Sequence, residues 1–291
     1  MKPNEEGVRQ NILHDVDGID HQIVIEPEKG WKLFNLKEIW QYRDLFFFLV
    51  WRDIKSRYAQ SILGVGWAVI QPLFSMVVYT VIFGNLAKME SEGLPYAIFN
   101  YSALVPWTYF SNALIMASES LVSSKDMLTK VYFPRVIIPL APVLGKLVDF
   151  GVALLILFGM MLWFGITPTV WALFIPVLVI LMMIAASGIG MWVTALAIQY
   201  RDIKYGMRFF VQLLMYSVPV VYSIQIVPEH LRMLYALNPM VGVIQGFRSA
   251  LLGSTAIPWE AMGIGLIVSL LIFITGAFYF KRMERVFADV A

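Results

Sequence analysis

Long stretches without any charged side chain alternate with short charged segments along this chain. A helix that crosses about 30 Å of hydrocarbon needs about 20 mostly apolar residues. The longest uncharged stretch, residues 150–200, has room for two such helices, and its Gly165-Ile166-Thr167-Pro168 sequence predicts a tight turn between them. The pattern predicts six helices, at residues 62–87, 96–121, 139–164, 171–199, 207–226 and 261–280.

The segment before the first predicted helix mixes apolar and charged positions. Between residues 36 and 59, apolar side chains recur at steps of three, four and seven residues, which places them on one face of a helix. Because charged side chains interrupt this segment, we predict an amphipathic helix that lies along the cytoplasmic lipid boundary. A basic flank of the first spanning helix is the alternative. The apolar face consists of Leu36, Trp40, Phe47, Trp51, Ile54 and Tyr58.

Residues 223–260 contain apolar pieces that are too short to span a membrane, at 240–244 and 250–252. Short helices that dip back into the membrane would bury them. Irregular backbone at that depth is tolerated only against protein or a watery cavity, so the segment predicts the mouth of a pathway. A surface loop with an amphipathic helix is the alternative.

The predicted fold class is therefore an all-α membrane protein with six transmembrane helices, an N-terminal amphipathic interface helix and re-entrant external helices before the last span. Nineteen of the 22 lysines and arginines fall on one side of this arrangement, which predicts that both termini are cytoplasmic. The predicted divisions are a polar cytoplasmic extension at 1–34, the interface helix at 35–60, the six-helix transmembrane domain at 61–281 and a cytoplasmic tail at 282–291.

Composition excludes several classes of function. Hydrophobic residues make up 59% of the chain and charged residues 14%, which a water-soluble fold of 291 residues could not bury. The net charge of +2 gives no reason to expect a nucleic-acid partner. The absence of cysteine excludes disulfides and thiolate metal sites.

Motifs of catalysis are absent as well. The nearest sequence to a phosphate-binding loop, Gly145-Lys146, lacks the upstream glycine and is followed by Leu147, so we expect no nucleotide site and no other cofactor in this chain. His14, His21 and His230 do not have metal-ligand spacing, so we expect no metal site. We therefore predict that the chain is not an enzyme.

Three groups of side chains are candidates for function. Lys146 and Asp149 lie three residues apart on one helical face. They form either a polar gate or subunit contact, or a lysine that extends to the membrane interface and pairs with a carboxylate. The segment 123–139 predicts a short amphipathic helix that ends before Pro134 and fits a groove in a soluble partner, with a simple loop as the alternative. Aromatic rings form either interfacial belts or a path on which sugar rings stack, and the candidates are Trp67, Tyr79, Phe83, Tyr101, Trp107, Tyr109 and Phe110.

Four stretches, at residues 49–72, 130–140, 199–205 and 237–253, together resemble the permease subunit of type-2 ABC exporters for polysaccharides and polyol phosphates, which include O-antigen, capsule and teichoic acid exporters. The resemblance covers about residues 35–285. It implies a bacterial inner-membrane permease that forms a homodimer, binds two ATP-binding cassette subunits that hold ATP and Mg, and exports a lipid-linked glycan.

The resemblance also implies roles for particular residues. Arg52, Lys55 and Arg57 would meet a lipid pyrophosphate head, although attraction to anionic lipids explains them equally well. Asn238, Pro239 and Arg248 would belong to the external gate. Contact with the ATPase would involve Lys125, Asp126, Met127, Lys130, Tyr132, Phe133 and Pro134.

Three alternatives stay open at this point. An exporter of drugs or other small amphiphiles is the nearest one, because it shares the superfamily. An ion-coupled carrier would need a titratable cluster near the midplane of the membrane, for which only Lys146 and Asp149 are available. A membrane-bound enzyme that modifies glycans would need a positioned acid and base, which the sequence does not suggest.

Overall fold

The computed structural model describes residues 36–59, 64, 66–124, 127, 132–200 and 202–284. These residues form helices and connecting turns, so the predicted all-helical class is confirmed for this part of the chain. The polar extension at 1–34 lies outside it, as does most of the tail. The α-helices are α1 Leu36–Gln41, α2 Arg43–Tyr58, α3 Gly66–Tyr79, α4 Tyr96–Ser123, α5 Ile137–Gly145, α6 Leu147–Phe164, α7 Ile175–Gln199, α8 Ile203–Tyr216, α9 Glu229–Ala236, α10 Pro239–Leu252 and α11 Trp259–Met283.

Four helical stretches among the described residues are long and apolar enough to cross a membrane: Gly66–Leu86, Ile137–Phe164, Val170–Gln199 and Trp259–Met283. The first combines α3 with the π-helix Thr80–Leu86, the second joins α5 to α6, and the third adds the 3-10 turn Val170–Phe174 to α7. Four of the six predicted helices are thereby matched closely in position.

Helix α4 matches the predicted helix at 96–121 but not as an apolar span. It has 28 residues, and polar side chains such as Asn100 and Ser102 lie among the apolar ones. Both side chains are fully buried, and α4 packs against α3, α5, α6, α7, α8 and α10. A helix that is surrounded by other helices does not need an apolar surface toward lipid, and α4 is less hydrophobic than α3, α5, α6 and α7.

The predicted helix at 207–226 is wrong in its second half. Helix α8 ends at Tyr216 after 14 residues, a length of about 21 Å, and residues 217–223 form turns. Pro219 has no backbone N–H, and its ring disfavours helical geometry at Val218. The prediction of six spans is therefore not confirmed at this helix, whose length of about 21 Å is less than the roughly 30 Å of hydrocarbon.

Helices α1 and α2 confirm that residues 36–58 are helical, whereas their position at a lipid boundary stays a prediction. Helix α2 packs lengthwise on α5, and Leu49 is buried against Ile137 and Ala141. The predicted apolar face is divided, because Ile54 and Tyr58 lie against the junction of α5 and α6. Trp40, Phe47 and Trp51 are instead largely exposed.

Glycines allow helices α7 and α11 to approach each other closely. A Cβ atom on Gly188 of α7 would lie 2.7 Å from the backbone of Phe273 on α11, and Gly276 faces Gly188 across the same crossing. Small residues at such a crossing permit backbone contact between helices that both face lipid elsewhere.

The short helices predicted within 223–260 are present as α9 and α10, and their re-entrant position in a membrane stays a prediction. Almost every side chain of α10 is buried. A Cβ atom on Gly242 would lie 2.7 Å from the Ala261 carbonyl oxygen, so α10 fits tightly against α11. We call α9 and α10 together the α9–α10 hairpin, and the end of the bundle that it occupies the hairpin end. The opposite end, where Tyr132 contacts Glu38 and Arg135 contacts Glu284, is the α2 end.

Candidate functional site

A cluster of charged groups joins α2 to the junction between α5 and α6. The Asp149 Oδ2 atom accepts hydrogen bonds from Arg57 Nη1 at 2.9 Å and from Lys146 Nζ at 2.7 Å. The Tyr58 hydroxyl donates to the other carboxylate oxygen, Oδ1. The side chains of Arg57, Lys146 and Asp149 are 17%, 12% and 21% exposed, so the cluster is mostly withdrawn from solvent. Two cations and one carboxylate leave it with a net positive charge.

The local sequence explains how Arg57 reaches this position. A Cβ atom on Gly145 would lie 2.9 Å from Arg57 Nη2, so the guanidinium lies where any larger residue would place its side chain. The Arg57 Nε atom donates to the Asp53 carbonyl oxygen at 3.0 Å, which fixes the side chain along α2. Its Nη2 atom is buried and has no hydrogen-bond partner. One donor of Arg57 is therefore unpaired in this conformation.

The cluster forms one wall of a cavity of about 150 Å³. Trp67 and Gln71 of α3 and Thr108 and Asn112 of α4 line the other sides. Burial raises the pKa of Tyr58 to about 12, so its hydroxyl stays protonated and can donate at neutral pH. The cavity thus presents cationic donors, neutral polar groups and an indole ring to whatever enters it.

The structure separates the three predicted phosphate-binding residues. Arg57 lies in the cavity, whereas Lys55 is exposed on the outer side of α2. Arg52 pairs with Asp53 at 3.4 Å and lines a second cavity of about 120 Å³ with Glu119 of α4. Lys146, which sequence reasoning considered only as a gate or an interfacial lysine, joins Arg57 instead. The 92 residues between Arg57 and Asp149 hide this pairing from any local pattern.

The predicted aromatic path divides into two groups. Trp67, Tyr79 and Phe83 lie on α3 and its π-helical continuation and are partly or largely exposed. The other four rings are buried in the core of the chain, where the Tyr109 hydroxyl donates to the Val143 carbonyl oxygen at 2.9 Å. Their packing leaves little exposed ring surface, although Tyr109 lines the charged cavity; these four are Tyr101, Trp107, Tyr109 and Phe110.

Helix α8 carries an aromatic face that sequence reasoning missed. Tyr205, Phe209 and Tyr216 are all more than 60% exposed. The face is adjacent to α3, because the Tyr79 hydroxyl donates to the sulfur of Met215 at 3.7 Å. The spacing of four and seven residues between these rings is a helical signal, which the charges at the start of α8 obscured.

The predicted ATPase-coupling segment is described only in part. Lys125, Asp126 and Lys130 lie outside the described residues. Phe133 is buried, and Met127 packs against the same apolar cluster. Pro134 begins the turn before α5, because its carbonyl oxygen accepts from the Ile137 N–H. Tyr132 is 66% exposed, which leaves its ring available at the α2 end.

The predicted gate residues all hold the hairpin end in place. The Asn238 side chain caps α10 by accepting from the Met240 N–H at 3.1 Å, and Pro239 is the first residue of that helix. Arg248 is 2% exposed, and its guanidinium lies 3.6 Å from the centre of the Phe99 ring. It donates to the carbonyl oxygens of Phe99, Val220 and Tyr222 at 3.3, 2.8 and 3.3 Å.

The sequence model of the ABC-2 type transporter family matches residues 44–252, which is most of the chain. The chain belongs to the ABC-2 type transporter family. Both the charged cavity and the α9–α10 hairpin lie inside the matched region. The family implies that this ABC-2 chain is a membrane permease subunit that works with ATP-binding subunits.

Curated relatives agree with this membership. The O-antigen export system permease protein RfbA of Myxococcus xanthus is 27% identical over 74% of this chain and 82% of its own. The protein of the same name from Klebsiella pneumoniae is 25% identical over 85% of this chain and 95% of its own. The inner membrane transport permease YadH of Escherichia coli is 26% identical over 72% of this ABC-2 chain and 87% of its own.

Proposed function

We propose that this chain is the channel-forming subunit of an ATP-driven exporter that moves a lipid-linked polysaccharide from the cytoplasm to the outer face of the inner membrane. Two copies form the channel, and two ATP-binding subunits hold ATP and Mg and supply the energy. The names of the O-antigen export relatives support this cargo. In this arrangement the α2 end faces the cytoplasm, in agreement with the excess of lysine and arginine there.

The charged cavity is the observation that carries the proposal. A lipid-linked glycan has a phosphate or pyrophosphate group between its lipid and its sugars, and that group must be bound where the substrate enters. Arg57 and Lys146 lie close enough to share one carboxylate oxygen, and Arg57 keeps a buried donor without a partner. Hydrogen bonds from paired cations to a phosphate oxygen are short and strong. In the empty transporter, Asp149 takes the place of that phosphate.

The sugars would then follow the aromatic rings of α3. Trp67 lines the charged cavity, and Tyr79 and Phe83 lie farther along the same helix. The exposed rings of α8 continue this aromatic surface next to Tyr79. Flat ring faces contact sugars without demanding a particular sequence of them, which suits a polymer that slides through a channel.

Coupling to the ATPase is proposed at the segment between α4 and α5. Its described residues Tyr132 and Phe133 lie at the α2 end, and Arg135 ties the segment to α11 by donating to the Glu284 carbonyl oxygen at 2.9 Å. A movement of the segment would therefore reach the bundle through α5 and α11.

Export of a small amphiphile is a second candidate, because a cavity of about 150 Å³ also accepts a single small molecule with an anionic group. Depletion of the chain in its native cell separates the two. Lipid-linked glycan should accumulate on the cytoplasmic side of the inner membrane while surface polymer is lost. Unchanged glycan on both sides would contradict polysaccharide export and favour the small cargo.

A further inference from the structure

The loop between α3 and α4 fastens both ends of the α9–α10 hairpin through a single side chain. Glu92 Oε1 accepts a hydrogen bond from the Ser223 hydroxyl at 2.6 Å, and Oε2 accepts one from the Ser254 hydroxyl at 2.6 Å. Ser223 lies just before the hairpin and Ser254 lies just after it. We call this group of three residues, Glu92, Ser223 and Ser254, the Glu92 strap.

The backbone of the loop is shaped around these contacts. Glu92 has a φ of +57°, in the left-handed region that residues with side chains rarely adopt, and Gly93 follows at +79°. The Ser91 hydroxyl closes the turn by donating to the Leu94 carbonyl oxygen at 2.5 Å. The two charge-assisted hydrogen bonds of Glu92 offset the unfavourable conformation, so the loop is held in it by the hairpin.

A second set of contacts holds the hairpin from the inside. Arg248 of α10 donates to the carbonyl oxygens of Val220 and Tyr222, and the Tyr96 hydroxyl of α4 donates to that of Val221 at 2.6 Å. These bonds are buried within the protein and satisfy the non-helical backbone of residues 217–223. Glu92 attracts Arg248 electrostatically, so the two attachments reinforce each other.

The two sets differ in how easily they can be released. The inner bonds are made by buried donors on backbone oxygens that would otherwise be unsatisfied, and breaking them is costly. The Glu92 strap joins a half-buried carboxylate to the half-buried Ser254 hydroxyl and to the buried Ser223 hydroxyl, so water can reach Glu92 and Ser254 as they separate. When the hairpin moves away from α4, the hydrogen bonds of the Glu92 strap are therefore the restraint that breaks most easily.

We infer that Glu92 is a gate-positioning residue: its carboxylate bridges Ser223 and Ser254 in the closed state and must leave both before the hairpin opens. The role of the open state rests on the proposed function, because an exporter needs an exit at the hairpin end. The closed arrangement itself can be tested without any cargo.

The test measures the reaction of an introduced cysteine with a membrane-impermeant thiol reagent in intact cells that contain the full transporter. The natural chain has no cysteine, so Val221→Cys, a small change at a residue 6% exposed behind the strap, gives a single labelling site. Adding Glu92→Ala should raise its labelling rate about tenfold, because two charge-assisted hydrogen bonds are lost. Ser223→Ala together with Ser254→Ala should raise it similarly.

Glu90→Ala is the matched control, since it removes the same charge from the same loop at an exposed side chain. It should leave the labelling rate within about twofold, and Glu92→Gln, whose amide still bridges two hydroxyls, should give an intermediate rate. A labelling rate in Glu92→Ala equal to that of the Val221→Cys parent would overturn the inference. Because the labelling rate reports opening of the hairpin end whatever cargo the transporter carries, a wrong cargo assignment would not alter this result.

Discussion

At the scale of single residues, the proposed binding site lies where charge is buried. Arg57, Lys146 and Asp149 form one network, in which removal of Asp149 leaves two cations without their shared carboxylate in a poorly hydrated place, whereas removal of either cation leaves Asp149 paired with the other. A network of this kind stabilises the fold and also creates a site for an anion. The same residues therefore have to be tested with readouts for both stability and transport.

Replacement of Arg57 tests the transport role. Arg57→Gln should lower the rate of polymer export at least about tenfold, because the cavity loses its stronger phosphate donor. Arg43→Gln on the same helix is the control: Arg43 is exposed and should give export within about twofold of the parent. Export and the amount of protein in the membrane are measured in parallel. Normal export by Arg57→Gln would remove the cavity from the entry route.

Sequence alone identified these residues but not their arrangement. The family resemblance predicts a phosphate role for Arg57 together with Arg52 and Lys55, and a spacing of three residues predicts the pairing of Lys146 with Asp149. Their meeting depends on α2 packing along α5 and on the absence of a side chain at Gly145, which a local pattern does not reveal. Conversely, the buried position of Tyr101 and Phe110 follows from α4 being surrounded by six helices, so aromatic composition alone overstated the number of exposed rings.

At the scale of helices, close crossings at small residues, rather than hydrophobic attraction, determine which helices pack together. Gly188→Ala should destabilise the protein by about 1–3 kcal/mol, because the new methyl group would overlap the backbone of Phe273. Gly159→Ala, which meets nothing within 4 Å, is the control and should be neutral or slightly stabilising. Thermal unfolding in detergent measures both. Equal melting temperatures for the two variants would contradict the tight crossing of α7 and α11.

The break after α8 is a second feature at this scale. Arg248→Met should lower stability by about 2–4 kcal/mol, because the carbonyl oxygens of residues 217–223 lose buried donors. Arg232→Met on α9, where the side chain is 40% exposed, is the matched control and should change stability by less than about 1 kcal/mol. A melting temperature of Arg248→Met equal to that of the control would show that the break does not depend on Arg248.

The long apolar helices were predictable because each one corresponds to a continuous stretch of apolar residues. The early end of α8 was not, although Pro219 was visible. Proline also occurs inside α3, α4 and α5 without ending them, so the residue alone does not decide. What stabilises the break at residues 217–223 is a set of donors from Tyr96, Asn100 and Arg248, which are far away in sequence.

At the scale of the whole molecule, one chain leaves large aromatic and aliphatic side chains of α3 and α8 exposed. In the proposed assembly, these faces meet the second copy and the channel between them. The purified complex should contain two copies of this chain and two ATP-binding subunits, which native mass spectrometry can count. A stable and active assembly with one copy of this chain would contradict the proposed channel.

The most direct test of the account is transport in proteoliposomes that contain this chain and its ATP-binding partner. Labelled lipid-linked glycan is supplied on the side of the ATP-binding subunits, and its appearance on the other side is measured with and without ATP. The account predicts transfer that requires ATP and that is abolished by Arg57→Gln. Hydrolysis of ATP without transfer of the glycan, or transfer driven by an ion gradient in the absence of ATP, would contradict it.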